Sequence, residues 1–268
     1  MTDGPARQAG AAAAVAQDWG RRGLGLLRRA GVVAADYEYA IRHQVRAEFD
    51  RGTPEALVEI EGDRAPVVLL PGIFETWRFL RPLARHVHES GHPVHVITAL
   101  ERNLGSIADG ARTVAEYLER HDLRDVTIVA HSKGGLIAKQ LLGIPEVTGR
   151  VRLLVAVCTP FSGSTLARFV PFQSVRSLQP SDEALRQLAL ASDANARIVS
   201  VSGWFDPHIP NGSALDGARN VQLPVGGHFR ILASAELFAL IDDCLGDPER
   251  PDEQDGEQDG EQGGDPAG

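Results

Sequence analysis

The chain has 268 residues, of which 43% are hydrophobic and 24% are charged, a composition that is typical of globular proteins and excludes collagen-like and wholly disordered chains. Nowhere do about 18 apolar residues follow one another, so we predict no transmembrane helix. Of the net charge of -9, residues 246–268 carry -8, with nine acidic residues and one arginine. The nearly neutral remainder gives no reason to expect nucleic acid as a partner.

Residues 11–50 are rich in alanine and arginine, and we predict one or two helices there. They belong to an N-terminal extension of the main domain, residues 1–52. Its stretch RRGLGLLRRAGVV combines arginine with leucine, as do helices that make peripheral contact with a membrane surface. We favour the alternative, in which the helix packs on the domain. Paired arginines also begin some export signals, but Arg28 and Arg29 interrupt the apolar run and no cleavage site follows. We therefore expect a cytoplasmic protein, with export as the alternative.

Residues 53–245 alternate short apolar runs with helical patterns, as a single α/β domain does. The runs are rich in Val, Ile and Leu with little polar alternation, which is typical of strands buried on both faces. We predict six strands, in the segments APVVLLPGI, HPVHVITAL, DVTIVAHS, VRLLVAVCTP, ARIVSVSGWFDP and NVQLPVGGH. Helices are predicted at 76–90, 106–121, 133–143 and about 233–245. This alternation predicts a mostly parallel sheet with helices on both faces and with its chemistry at the carboxyl ends of the strands.

A serine stands between the third predicted strand and the following helix, in the stretch VTIVAHSKGGLIAKQLL. A nucleophile elbow needs a strained turn at this point, because the turn lifts the serine hydroxyl above the edge of the sheet. The strand and the helix pass closely, so the positions two before and two after the serine must be small. Ala130 and Gly134 occupy them, although Ala130 departs from the usual glycine. We predict that Ser132 is a nucleophile.

A serine nucleophile requires a base and a carboxylate, because its hydroxyl is a poor nucleophile by itself. Asp206 follows the fifth predicted strand and His228 follows the sixth, which gives the chain order Ser, Asp, His of this kind of site. Each of the two is also typical of an ordinary loop, as a turn aspartate or a loop histidine. Their joint position at strand ends favours a triad of Ser132, Asp206 and His228. We expect His131, next to the serine, to point elsewhere.

Acyl transfer also needs N–H groups that stabilise the oxyanion of the tetrahedral intermediate. The backbone N–H of Lys133, at the start of the helix, is one expected donor. The second donor should follow the strand APVVLLPGIF, where Pro-Gly turns the chain, and we predict the N–H of Ile73, with Phe74 as the alternative. We assign no catalytic role to the side chain of Lys133, since the S-x-x-K pattern is absent.

Five segments together resemble the serine hydrolases of the α/β-hydrolase fold: PVVLLPGIFETW, VAHSKGGLIAKQLL, VCTPFSGSTLA, FDPHIP and GGHFRIL. Over about residues 60–245 the chain is most similar to the lipase and esterase branch with an HSKGG elbow, which includes bacterial triacylglycerol-lipase-like proteins. The resemblance implies a metal-independent hydrolase that acts on carboxylic esters of small molecules or lipids, with Ser132, Asp206 and His228 as its triad. Many lipases have His-Gly in the oxyanion loop where this chain has Pro-Gly. Because the donor is a backbone group, the chemistry should survive this change.

An insertion at about 159–190 separates the fourth and fifth predicted strands and carries several aromatic and aliphatic residues. In this fold such a segment usually covers the pocket, so we expect a short lid whose apolar side chains suit an acyl chain. The alternative is that these side chains only pack the lid onto the domain. The candidate pocket residues are Phe74, Phe161, Phe169 and His208.

Neither a cofactor nor a metal ion is predicted. The stretch HVHESGHPVH contains four histidines, but His86 and His88 face different sides of a helix and the segment 91–93 breaks the next spacing. The patterns of a P-loop and of a dinucleotide fingerprint are both absent.

Two functions remain beside ester hydrolysis. One is acyl transfer or thioester cleavage on the same triad, and the other is ligand binding by a hydrolase fold without turnover. No oligomeric state is predicted. The acidic tail, residues 246–268, repeats a DGEQ unit without any aliphatic or aromatic residue and should be disordered.

Overall fold

The computed structural model describes residues 4–58 and 64–246. Within these residues, six strands form one parallel sheet in the order β2-β1-β3-β4-β5-β6. The strands are Val67–Leu70 (β1), Val94–Val96 (β2), Val126–His131 (β3), Val151–Val157 (β4), Ile198–Phe205 (β5) and Arg219–Gly226 (β6). Five of the segments predicted as strands contain one of them in full, and β6 begins at Arg219, one residue before its predicted segment. The predicted acidic tail, apart from Gly246, lies outside the described residues.

Helices cover the sheet and connect its strands. They are Gly4–Phe49 (α1), Glu55–Val58 (α2), Arg81–Glu89 (α3), Ile107–Arg120 (α4), Lys133–Leu142 (α5), Pro145–Thr148 (α6), Gln173–Arg176 (α7), Glu183–Leu190 (α8) and Ala235–Leu245 (α9). Three of the four predicted helices in the domain are confirmed within two residues at each end. The fourth, predicted at 76–90, begins as the 3-10 turn Trp77–Leu80 and becomes α-helical at Arg81. Pro82 explains this start, because proline suits the first turn of a helix and not its interior.

The core consists of two hydrophobic clusters, one on each face of the sheet. Successive side chains of a strand point to opposite faces, so Ile128 and Ala130 of β3 join one cluster while Val129 joins the other. Helices α4 and α5 cover the first face, and α3 and α9 cover the second. All six residues of β3 are buried, which explains why its sequence lacks polar alternation.

The N-terminal extension is one continuous helix, α1, where the sequence left one or two open. In its second half, Val32, Tyr39 and Ala47 are buried against the domain, and the ring of Tyr39 meets Phe79 edge-on at 6.2 Å. This half of α1 is therefore packed on the hydrophobic cluster that includes α3 and α9. None of the helices among residues 4–58 and 64–246 combines the length and hydropathy that a membrane span requires. Peripheral membrane contact stays a prediction.

Candidate active site

Three polar side chains converge at the carboxyl ends of β3, β5 and β6. Ser132 follows β3, Asp206 follows β5, and His228 lies two residues beyond β6. The Nε2 atom of His228 is 3.1 Å from the Ser132 hydroxyl oxygen. Its Nδ1 atom is 2.7 Å from Oδ2 of Asp206. The three residues predicted as a triad thus form one hydrogen-bonded chain, although they come from three separate strand ends.

The turn that holds Ser132 is strained, with φ 51° and ψ -120°, a conformation that costs a non-glycine residue about 1–3 kcal/mol. Its neighbours explain how the strand and the helix pass so closely. A Cβ atom at Gly134 would lie 2.6 Å from the carbonyl oxygen of Leu70, and one at Gly135 would lie 2.0 Å from Oγ1 of Thr159. Glycine is therefore required at both positions, and the turn keeps Ser132 at the edge of the sheet.

Asp206 is held as an ionised acceptor for the histidine. Its Oδ1 accepts from the backbone N–H groups of His208 at 2.8 Å and Ile209 at 3.1 Å. Burial by itself would raise the pKa of Asp206, but the adjacent His228, with which it is hydrogen-bonded, and these two N–H groups together lower it to about 2. The carboxylate therefore accepts from Nδ1–H of His228, which leaves Nε2 free to accept the Ser132 proton.

Two backbone N–H groups near Ser132 are without an acceptor in the described structure. The N–H of Lys133 begins α5, where a helix leaves its first donors unpaired. The N–H of Ile73 lies in the loop after β1, and Ile73 borders the same cavity as Ser132. The N–H of the alternative donor, Phe74, already donates to the carbonyl of Arg102 at 2.8 Å, so the structure favours Ile73.

The ammonium group of Lys133 binds backbone carbonyls in the loop before α4 and does not border the cavity at Ser132. The side chain is fully buried, and Nζ donates to the carbonyls of Asn103 at 2.8 Å and Gly105 at 2.5 Å. Burial lowers the pKa of Lys133 to about 8. Asn103 in turn donates from Nδ2 to the carbonyl of Pro71 at 2.7 Å, which fixes the start of the loop that carries Ile73.

A cavity of about 500 Å³ opens above Ser132 and His228. Phe74 and His208 line it, as predicted. The insertion between β4 and β5 contributes other apolar side chains: Leu166, Ala167, Val170, Val175 and Leu178. Helix α1 also forms part of the wall, through Ala40, Ile41 and Gln44. The lining is mostly apolar, which suits the acyl part of an ester.

Two of the predicted pocket residues are placed elsewhere. Phe161, four residues beyond β4, is buried in the hydrophobic cluster that α4 and α5 cover, and the Lys139 ammonium lies 5.8 Å from its ring centroid. Phe169 ends the 3-10 turn Thr165–Phe169, whose inward position is taken by Ala167. Its ring is 69% exposed and lies beside Arg168. Neither phenylalanine borders the cavity.

No protein-family model matches the sequence, and no curated protein matches it. Solved structures do. Mature lipase BlEst2 from Bacillus licheniformis is similar over 70% of this chain and 95% of its own, with a TM-score of 0.54 and 17% identity. Lipase B from Aspergillus fumigatus is similar over 72% of this chain and 56% of its own, with a TM-score of 0.59 and 20% identity. A hydrolase from Oleispira antarctica is similar over 72% of this chain and 97% of its own, with a TM-score of 0.52 and 15% identity.

The chain has the α/β-hydrolase fold.

Within this α/β-hydrolase fold, a buried ion pair supports the loop that carries His228, and no sequence pattern indicated this pair. The Nδ1 atom of His131 lies 2.9 Å from Oε2 of Glu75, and its Nε2 donates to the carbonyl of His228 at 3.0 Å. Burial by itself would lower the pKa of His131, but the charge of Glu75 and its hydrogen bond outweigh burial and raise it. The same Oε2 accepts the N–H of Gly72 at 2.6 Å. His131 thus contacts the backbone of the loop that carries His228, which corrects the expectation that it points elsewhere.

One group of side chains among the described residues has donors close enough for a metal ion: Cys158, Asp206 and His228, within 4.8 Å of one another. Burial, and then the charge of Asp206, raise the pKa of the Cys158 thiol well above its usual value. A protonated thiol is not a metal ligand. Asp206 and His228 are already hydrogen-bonded to each other, and this bond accounts for their short separation. The absence of a metal and of a cofactor stays a prediction.

Proposed function

We propose that this chain is a serine hydrolase that cleaves carboxylic esters through an acyl-enzyme. The observation that carries the proposal is the continuous hydrogen-bonded chain from Ser132 through His228 to Asp206 at the floor of an apolar cavity. Ser132 and His228 are only 6% and 4% exposed. A buried triad of this order has the parts that nucleophilic acyl transfer requires.

In the proposed reaction, Ser132 Oγ attacks the ester carbonyl carbon while His228 Nε2 takes the hydroxyl proton. Asp206 stabilises the imidazolium, and the N–H groups of Ile73 and Lys133 donate to the oxyanion. As the tetrahedral intermediate collapses, the C–O bond to the alcohol breaks and His228 returns the proton to that leaving oxygen. Water then attacks the acyl-enzyme with His228 as base and releases the acid.

The apolar lining of the cavity supports an ester with an aliphatic acyl group, whether from a small molecule or a lipid. Each buried methylene is worth about 0.8 kcal/mol, or about a fourfold gain in kcat/KM, until the cavity is full. We therefore expect kcat/KM for p-nitrophenyl esters to rise from acetate to a medium-length chain and then to level off or fall.

The first experiment joins active-site labelling to turnover. The wild type, Ser132→Ala and the control Ser174→Ala are incubated with a fluorophosphonate probe, and the labelled peptide is located by mass spectrometry. The same proteins are assayed with p-nitrophenyl esters of increasing chain length. We expect label on Ser132, a loss of about 10³-fold or more in kcat for Ser132→Ala, and no change for Ser174→Ala. Unchanged turnover in Ser132→Ala would refute the mechanism.

The same assay separates the two alternatives. Faster release of the acyl group with an added alcohol, or a preference for thioesters, would favour an acyltransferase or a thioesterase, because the acyl-enzyme is common to all three. A folded wild type that is neither labelled nor active would favour a binding protein with a hydrolase fold.

A further inference from the structure

A carboxylate from the N-terminal helix reaches into the catalytic loop. Asp36 of α1 is fully buried. Its Oδ2 accepts the backbone N–H of His228 at 2.9 Å, and its Oδ1 accepts those of Phe229 at 2.8 Å and Arg230 at 2.9 Å. No ion pair of Asp36 exists among the described residues, so these three consecutive N–H groups are what compensate the buried charge.

Local geometry explains why the loop needs such an acceptor. Residues Arg230–Ala233 form a 3-10 turn, whose first N–H groups have no partner within the turn. Just before them, Gly227 has φ 115°, and a Cβ atom there would lie 2.4 Å from Oδ1 of Asp36. The carboxylate therefore fits only because glycine precedes the histidine. Asp36 serves this turn as a cap that comes from a distant helix.

The backbone of His228 is thus held on both sides. Asp36 binds its N–H at 2.9 Å, and His131 binds its carbonyl at 3.0 Å. With Asp206 on Nδ1, these contacts determine where Nε2 lies relative to Ser132. A base that is misplaced by about 1 Å loses on the order of 10²-fold in rate.

We propose that Asp36 is a positioning residue for the general base His228, and that α1 is therefore part of the catalytic unit and not an appendage to it. The role rests on the proposed function. It is consistent with the wall of the cavity, to which Ala40 and Gln44 contribute one and two turns further along the same helix. Asp36 touches neither the substrate nor the reacting atoms and acts only through the loop.

Two substitutions of Asp36 should lower kcat by different amounts. Asp36→Ala removes both acceptor oxygens and with them all three hydrogen bonds. We expect kcat to fall about 10-fold to 100-fold while KM changes less than about threefold, because the cavity is untouched. Asp36→Asn keeps one oxygen for Phe229 and Arg230 but turns an amide towards the N–H of His228, so we expect a smaller fall, about 3-fold to 10-fold. Glu38→Gln is the control. Glu38 lies two residues along the same helix, where its exposed carboxylate pairs with Arg42.

Three measurements distinguish positioning from a loss of fold. Steady-state kinetics with a p-nitrophenyl ester give kcat and KM, end-point fluorophosphonate labelling counts the competent molecules, and hydrogen exchange follows the amides of residues 228–230. Support would be a lower kcat per labelled molecule and faster exchange at these amides in both Asp36 variants, with exchange in β3 and the Glu38→Gln protein as in the wild type. Should Asp36→Ala fail to fold, Asp36→Asn decides by the same measurements.

Either of two results would overturn the proposal: wild-type kcat per labelled molecule in both Asp36 variants, or exchange at 228–230 that does not change. This failure is distinct from a failure of the proposed function. In that case the wild type itself would show neither ester turnover nor label on Ser132.

Discussion

The buried pair of Glu75 and His131 leads to a prediction about stability and pH. The side chains of Glu75 and His131 are 4% and 1% exposed. In Glu75→Gln, an amide oxygen at the position of Oε2 keeps the hydrogen bonds from His131 and from Gly72. The charge is lost, and an amide nitrogen replaces Oε1, which lies 2.8 Å from Nδ1 of His131. Loss of one partner of a buried pair leaves the other charge uncompensated, which typically costs about 3–5 kcal/mol.

The size of the effect depends on pH in a definite direction. The pKa of His131 is raised in the folded state above its unfolded value of about 6.5. The pair therefore stabilises the fold fully below that pH, and this contribution is lost as the pH rises through the folded-state pKa. In Glu75→Gln, burial is still the largest influence on the pKa of His131 and disfavours the protonated ring, while the hydrogen bond to the His228 carbonyl and the charge of Asp206 still favour it. We expect Glu75→Gln to lower the free energy of unfolding by about 3 kcal/mol at pH 6, the low end of that range, because the hydrogen bonds to the Oε2 position survive. At pH 9 we expect a smaller loss.

Urea denaturation at pH 6.0, 7.5 and 9.0 measures this difference, with Glu89→Gln as the matched control. Glu89 pairs with Arg85 on the surface, where both side chains are about two-thirds exposed, so its loss should leave stability unchanged at each pH. A difference between wild type and Glu75→Gln that stays constant with pH, or grows as the pH rises, would refute the assignment of a charged His131.

Three further outcomes test other parts of the structure. Gly134→Ala should lower the free energy of unfolding by about 1–3 kcal/mol or more, since its Cβ would meet the Leu70 carbonyl at 2.6 Å; wild-type stability in urea would contradict the close passage. Ala40→Phe should lower kcat/KM for octanoate esters at least about tenfold and spare acetate, and equal effects on both esters would show that α1 does not wall the acyl pocket. Asn103→Ala should cost about 1–3 kcal/mol, because the buried Pro71 carbonyl loses its donor, and an unchanged thermal midpoint would argue against that contact.

Much of the fold could be predicted because its signals are local. A run such as VTIVAH favours a buried strand through its β-branched residues alone. Ser106 marks the start of α4, because its side-chain oxygen accepts the backbone N–H of Asp109. The turn at Ser132 could be predicted for the same reason, since its glycines follow within three residues. The proximity of Ser132, Asp206 and His228 could be predicted despite their separation in the sequence, because the carboxyl ends of the strands of one parallel sheet meet at one edge.

The pocket was predicted less well, since burial depends on what lies above a side chain. Phe161 and Phe169 belong to the same insertion and have the same apolar character. One is buried in the core at 2% exposure and the other is 69% exposed. Their difference follows from which side of a turn faces the domain. The sequence analysis also missed that α1 lines the cavity. No local pattern links a helix that ends at residue 49 to a cavity at the carboxyl ends of the strands.

The sequence by itself determined which segments along the chain are strands and helices, the strained turn at Ser132 and the three strand ends at which Ser132, Asp206 and His228 lie, because each rests on residues adjacent in the chain. Only the tertiary structure decided what holds the histidine in place. A signal was present at Asp36, an acid on the buried stripe of Val32 and Tyr39, and a charge on such a stripe indicates a partner. That partner, the N–H of His228, lies 192 residues further along, and a separation of that length is closed by packing, which no local pattern encodes.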